Sequence, residues 1–251
     1  MSWLRSVTVD RSGLDTSAWP WSLPAVAAMD GLEFADGVTF LAGENGTGKS
    51  TVLEAIAVAC GCPEEGGASN RDLKGPKPGD WLPHRTRPVL SGVPLGGAWF
   101  LRAESFFDVA TAAEQSAETR SNVPFEEAQL LADFGGRSPH LLSHGQAFLT
   151  LFDKRMGARS LWFMDEPEAP LSFRSQLALL GMLDDLVKAG SQFVIATHSP
   201  VLLALPGAAI YEFVEDGVER RRWEDLDVVQ QVRSFLESPD RYFRHLLDPP
   251  A

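Results

Sequence analysis

Gly43-Glu44-Asn45-Gly46-Thr47-Gly48-Lys49-Ser50 follows the pattern G-x-x-x-x-G-K-[S/T]. Glycines at this spacing let backbone N–H groups converge on a phosphate at a helix N-terminus. The lysine adds a point charge, and the hydroxyl at its end can coordinate Mg²⁺. The expected phosphate and nucleotide contacts are Gly43, Asn45, Gly46, Thr47, Gly48, Lys49, Ser50 and Thr51. Further along, Asp165 and Glu166 close the apolar run Leu161-Trp162-Phe163-Met164. Two adjacent carboxylates can divide two tasks, with Asp165 holding a divalent cation and Glu166 orienting or deprotonating an attacking water. His198 stands just beyond a third apolar run, Phe193-Val194-Ile195-Ala196, within reach of a γ-phosphate. Ser143-His144-Gly145-Gln146 precedes a helical pattern of Phe148, Leu149, Leu151 and Phe152. As S-x-x-Q it can be a capping box, and a helix opened by Ser and Gly can also present free N–H donors to a phosphate; the two roles are compatible.

Elements of a particular kind must position these residues. Val38-Thr39-Phe40-Leu41 reads as a strand ending before Gly43, and Lys49 to Cys60 as a helix with Val52, Leu53, Ile56, Ala57 and Cys60 on one face. The runs 161–164 and 193–196 lack the alternation of a strand with one wet face, so they suit central parallel strands covered on both sides. Between them, Leu177, Leu180, Leu183, Leu186 and Val187 share a helical face over 176–187, with Gly190 placed as a C-terminal cap. Strand, helix, strand implies an α/β sheet. In such a sheet ligands bind at the carboxyl edge of the strands, which is where the phosphate loop, the paired acids and His198 would all fall.

Composition narrows the context. The 251 residues carry 22 Lys and Arg against 34 Asp and Glu, a net charge of −12, which disfavours a broad nucleic-acid-coating surface. The one extended basic region is Arg71, Lys74, Lys77, Arg85 and Arg87. It lies inside 63–98, where six Pro and seven Gly in 36 residues predict a looped insertion rather than helix or central strand. Residues 104–140 carry weak helical patterns, and helices are expected near 225–236 and 239–247, the second opened by Ser238 and Pro239. The longest nearly uncharged apolar stretch, Val201 to Tyr211, is half of the roughly 20 residues a membrane helix needs. Arg5 and Asp10 interrupt the position of a signal-peptide core, so the expectation is a cytoplasmic chain without direct membrane insertion. Cys60 and Cys62 stand too close together for an ordinary disulfide and two ligands short of a structural zinc site, which leaves them structural.

The motifs together, in order, resemble those of an ABC-type ATPase: Walker A at Gly43 to Ser50, a signature-like Ser143 to Gln146, Walker B at Leu161 to Glu166, and a switch histidine, His198. The strings FLRAESFF, SHGQ, DEPEAPLS and FVIATHSPVLLALPGAAIYEF are similar to those of small stand-alone bacterial ATPases on the SMC- and RecF-like side of that class. The resemblance implies an α/β P-loop head over 1–251, with a mostly parallel central sheet flanked by helices, an antiparallel N-terminal β portion, an insertion at 63–98 and a helical signature subdomain at 104–157. It also implies Mg²⁺ with ATP as cofactor, metal contacts from Ser50 and Asp165, and catalytic roles for Lys49, Glu166 and His198. Two subunits would enclose each nucleotide, with Ser143, Gly145 and Gln146 acting in trans and Ala169 to Ser172 crossing between subunits. The sequence departs from the class where Arg102-Ala103-Glu104 stands in place of a metal-touching glutamine, which makes Glu104 the candidate there, and where His144 replaces a glycine. Trp19 or Trp21 could stack on the adenine. A homodimer on ATP binding, a protein partner, and a nucleic-acid partner met through the basic insertion are expected consequences. A transporter nucleotide-binding subunit and a regulatory module with negligible hydrolysis are the alternatives.

Overall fold

A strand that is apolar on both faces needs cover on both, and the central strands of the computed structural model have it. The structure describes residues 2–64, 67–68, 81–103 and 144–247. In chain order the elements are β1 (Leu4–Val9), α1 (Pro24–Ala28), β2 (Val38–Ala42), α2 (Lys49–Ala59), β3 (Gly67–Ala68), α3 (Leu82–Arg85), β4 (Thr86–Leu90) and β5 (Ala98–Arg102). They continue with α4 (His144–Arg155), β6 (Leu161–Asp165), α5 (Phe173–Lys188), β7 (Gln192–Thr197), β8 (Ala209–Val214), β9 (Gly217–Arg220), α6 (Asp227–Glu237) and α7 (Pro239–Leu246). Every residue of β2 and β7 is buried.

Seven strands form one sheet in the order β3-β5-β6-β7-β2-β8-β9. The pairs β5·β6, β6·β7, β7·β2 and β2·β8 are parallel, and the outer pairs β3·β5 and β8·β9 are antiparallel. Alternate residues of the central strands supply two cores. Phe40, Trp162, Met164, Phe193 and Ile195 pack with Phe148 and Phe152 of α4 and Leu179 and Leu183 of α5. Leu41, Phe163, Val194 and Ala196 pack with Val26 of α1 and Val52, Leu53 and Ile56 of α2. Burial of each Val, Leu, Ile, Phe or Met side chain among them stabilises the fold by about 1.5–3 kcal/mol, and cutting Phe163 to Ala costs about 3–5 kcal/mol.

A separate two-stranded antiparallel sheet joins β1 to β4, with Val7 opposite Pro88 and Val9 opposite Thr86. It corresponds to the expected antiparallel N-terminal portion, and its second strand comes from within 63–98, a stretch read from sequence as loop. Proline is tolerated there because β4 pairs on one side only. Buried Gln192 fixes β1 to the main sheet: its Oε1 accepts from Trp3 N and Leu4 N, and its Nε2 donates to Leu4 O and Ala35 O. At the C-terminal end of α5, Gly190 N and Ser191 N donate to Val187 O and Leu186 O, which closes the helix where the sequence pattern predicts. Residues 104–143 of the expected helical subdomain lie outside the described residues, as do Arg71, Lys74 and Lys77 of the basic region. Among the described residues no helix is long and apolar enough to cross a membrane.

Candidate nucleotide site at the carboxyl edge of the sheet

Strand register brings the predicted residues together. Arg102 is level with Asp165, Asp165 with Ala196, and Ala196 with Leu41, so four strand ends form one row. The phosphate loop leaves β2 at one end of this row and enters α2 through Gly48. Gly43 has φ +137° beneath the Phe213 carbonyl, and a Cβ there would sit 2.6 Å from that oxygen. Gly48 has φ +93°, and a Cβ there would meet the Ala25 methyl at 2.9 Å. Only glycine satisfies both positions.

The loop carries its own internal bonds. Lys49 Nζ donates to Glu44 O at 2.7 Å, and Thr47 Oγ1 to the same carbonyl at 2.9 Å. Burial lowers the Lys49 ammonium from its ordinary value, against the opposing pull of Glu166 and Asp165. Ser50 Oγ donates to Asp165 Oδ1 at 2.9 Å. Burial raises the Asp165 carboxyl, while Ser50 and the Arg102 charge pull it down. A cavity of about 570 Å³ is lined by Asn45, Gly46, Gly48, Lys49, Ser50, Thr51, Asp165 and Glu166. Its wall also includes Trp19, Glu54 and Arg102.

Glu166 adopts φ +46°, a conformation uncommon outside glycine, and its amide donates to Ala196 O at 2.9 Å. The turn carries its side chain to His198, whose Nδ1 lies 3.5 Å from both Glu166 Oε1 and Glu168 Oε1. His198 lines an adjoining cavity of about 590 Å³ on the other side of the phosphate loop, with Gly43, Glu44 and Thr47. Trp19 is 73% exposed and faces the first cavity, whereas Trp21 is 7% exposed in the α1–α2 core.

Gly145 and Gln146 open α4 and line neither cavity of this subunit. Gly145 is buried against Pro170 O, where a Cβ would sit at 3.0 Å, so the start of α4 rests on the 169–172 turn. Ser143 and Glu104 lie outside the described residues. Arg102, Glu54 and Glu168 were not singled out from sequence. Arg102 and Glu54 form an ion pair between β5 and α2, and the guanidinium lies 5.0 Å from the Phe100 ring. The strand-end rule that found Asp165 points equally to Arg102, and Glu54 is one helical turn beyond Ser50. No local pattern marks Glu168, a carboxylate inside a turn of Pro and Ala.

Comparison with known proteins finds similar ATP-binding proteins. The AAA domain family model matches residues 30–81. A "Putative ABC transporter ATP-binding protein" of Streptomyces coelicolor is 31% identical over 175 residues, 65% of this chain, and the match spans 29% of that relative's length. A protein of the same description from Pyrococcus furiosus is 25% identical, covering 86% of this chain and 90% of its own. Among solved structures, "An inward-facing conformation of a putative metal-chelate type ABC transporter" superposes with a TM-score of 0.50 at 17% identity, covering 93% of this chain and 89% of that one. The fold is therefore that of the ATP-binding head seen in that transporter structure, and the sequence is similar to those two putative ATP-binding proteins.

Proposed function

We propose that the chain binds ATP with Mg²⁺ at the first cavity and hydrolyses it there, and that closure of a homodimer around the nucleotide is passed to a partner. The observation that carries this reading is the Ser50–Asp165 hydrogen bond, which puts a hydroxyl and a carboxylate side by side next to Lys49 and Glu166.

Mg²⁺ suits these residues. It prefers oxygen donors and is usually held by one or two carboxylates together with substrate phosphates. Ser50 and Asp165 are such donors, and no cluster of three or more His, Cys, Asp or Glu able to hold a metal exists among the described residues. When bound, the ion would neutralise charge on the phosphate oxygens. The chain's own groups supply the rest. Lys49 and the loop amides bind the β and γ oxygens, Glu166 takes a proton from the attacking water, and His198 contacts the γ-phosphate from the second cavity. Gln146, exposed at the start of α4 and lining neither cavity of its own subunit, fits a role toward the nucleotide of a second one, with the buried Gly145 seating the helix start on the 169–172 turn.

The test is steady-state ATPase rate against protein concentration, with Glu166→Gln in parallel. Turnover per subunit should rise with concentration. The Glu166→Gln protein should lose on the order of 100-fold or more in rate and accumulate as an ATP-bound dimer. Flat turnover with an active, monomeric Glu166→Gln protein sinks the reading. A second reading, a nucleotide-binding subunit docked on a membrane partner, is favoured by the names of the two relatives. Co-purification of a membrane protein with the trapped dimer would select it over a nucleic-acid transaction, which salt-dependent DNA binding would reveal.

A further inference from the structure

Glu168 is an acid where burial demands a reason: the residue is 6% exposed, three positions beyond Asp165. One oxygen, Oε1, makes all of its described contacts. It accepts from Thr197 Oγ1 at 2.5 Å and from the His198 amide at 3.0 Å, and it lies 3.5 Å from His198 Nδ1. The other oxygen, Oε2, is buried without a hydrogen-bond partner among the described residues. Backbone amide, neighbouring hydroxyl and ring nitrogen of one histidine therefore converge on a single carboxylate oxygen. A carboxylate only accepts, so the two carboxylate oxygens 3.5 Å from Nδ1 favour the ring form that carries its hydrogen there. With Nδ1 protonated, Nε2 is the nitrogen left for the cavity that His198 shares with the phosphate loop.

We propose that Glu168 is the positioning residue of His198: its buried carboxylate fixes both the backbone and the ring of the histidine, so that Nε2 is presented to the phosphate cavity. The turnover part of this inference rests on the ATPase reading; the tautomer part does not.

The first measurement is ¹⁵N NMR of the His198 ring in the wild-type protein, where the neutral ring should carry its hydrogen on Nδ1. A ring protonated on Nε2 overturns the proposal without any variant. Three variants then separate its elements, each checked for a native melting transition. Glu168→Met fills the volume but offers no acceptor. It should shift the tautomer and lower kcat roughly 10–100-fold, the scale seen when a carboxylate behind a metal-bound histidine is removed, with nucleotide Kd within about two-fold of wild type. Glu168→Gln keeps an oxygen at the Oε1 position and should retain the tautomer and most of the turnover. Thr197→Val removes the hydroxyl that donates to Glu168 and accepts from the Ser199 amide, without touching the ring, and should keep the wild-type tautomer and most of the turnover. If Glu168→Met leaves tautomer and kcat unchanged, or if Thr197→Val reproduces its losses, Glu168 only secures the end of the strand and the proposal fails. If the wild type shows no ATPase activity, the functional reading fails, while the tautomer comparison still decides the role of Glu168. Glu166→Gln is the control: its turnover falls but its Nδ1–H tautomer stays.

Discussion

Ser50 Oγ and Asp165 Oδ1 are 2.9 Å apart although 115 positions separate them in the chain. The bond exists because β2 and β6 flank β7 in the parallel part of one sheet and end on the same edge. Asp165→Asn keeps the shape and an acceptor for Ser50 but removes a charge that burial disfavours. Its melting temperature should therefore equal or exceed that of the wild type. A metal–carboxylate interaction worth several kcal/mol should be lost, reducing Mg²⁺-dependent turnover roughly 100-fold or more. Parallel melting curves and ATPase rates check this, and a fully active Asp165→Asn protein rejects Asp165 as a metal contact.

Arg102 places a cation level with Asp165, and Glu54 holds it at the cavity wall. Arg102→Ala should weaken ATP binding about 10-fold, the scale of one hydrogen bond to a charged group. Arg102→Lys should recover only part of the loss, since an ammonium cannot reproduce the planar fork. Isothermal titration with a non-hydrolysable ATP analogue reads both. Unchanged affinity in Arg102→Ala would remove Arg102 from the nucleotide contacts.

The two candidate tryptophans differ in burial, so their substitutions should separate cleanly. Trp19→Ala should leave stability nearly unchanged, weaken nucleotide binding by about 1–3 kcal/mol if the ring stacks on a base, and abolish any nucleotide-induced quenching of fluorescence. Trp21→Ala, in the core, should cost about 3–5 kcal/mol of stability. Equal nucleotide affinity in Trp19→Ala and wild type would remove Trp19 from the site.

Much of this arrangement was legible in the sequence. Doubly apolar runs can only be covered central strands, and the strand-end rule then put Lys49, Ser50, Asp165, Glu166 and His198 on one edge. What escaped depended on contacts between distant segments. Glu168 looks like any acid in a turn until β7 lays Thr197 and His198 against it. Arg102 gains meaning only once β5 pairs with β6 in register. The strand Thr86–Leu90 was hidden because its proline content reads as loop, and only pairing with β1 at Val7 opposite Pro88 offsets that preference. Trp19 and Trp21 share one local sequence, and packing alone separates them.

Cys62 gives a prediction about the fold rather than the site. It is 4% exposed in the α1–α2 core, and burial pushes its thiol up to about 12 from the ordinary 9.0. In the unfolded chain the thiol ionises near 9, so between pH 9 and about 12 the folded state holds a proton that the unfolded state has released. Stability from this group is thus full below pH 9 and falls as pH rises, by about 1.4 kcal/mol per unit. Urea unfolding at pH 8, 9 and 10 should show that decline, and Cys62→Ala should make it shallower without abolishing it, because burial raises the Cys60 thiol as well. The same burial keeps the thiolate scarce at neutral pH, so modification of Cys62 by a thiol reagent should proceed only as fast as the protein opens. Immediate labelling of Cys62 in the native protein at pH 7 would contradict its place in the core.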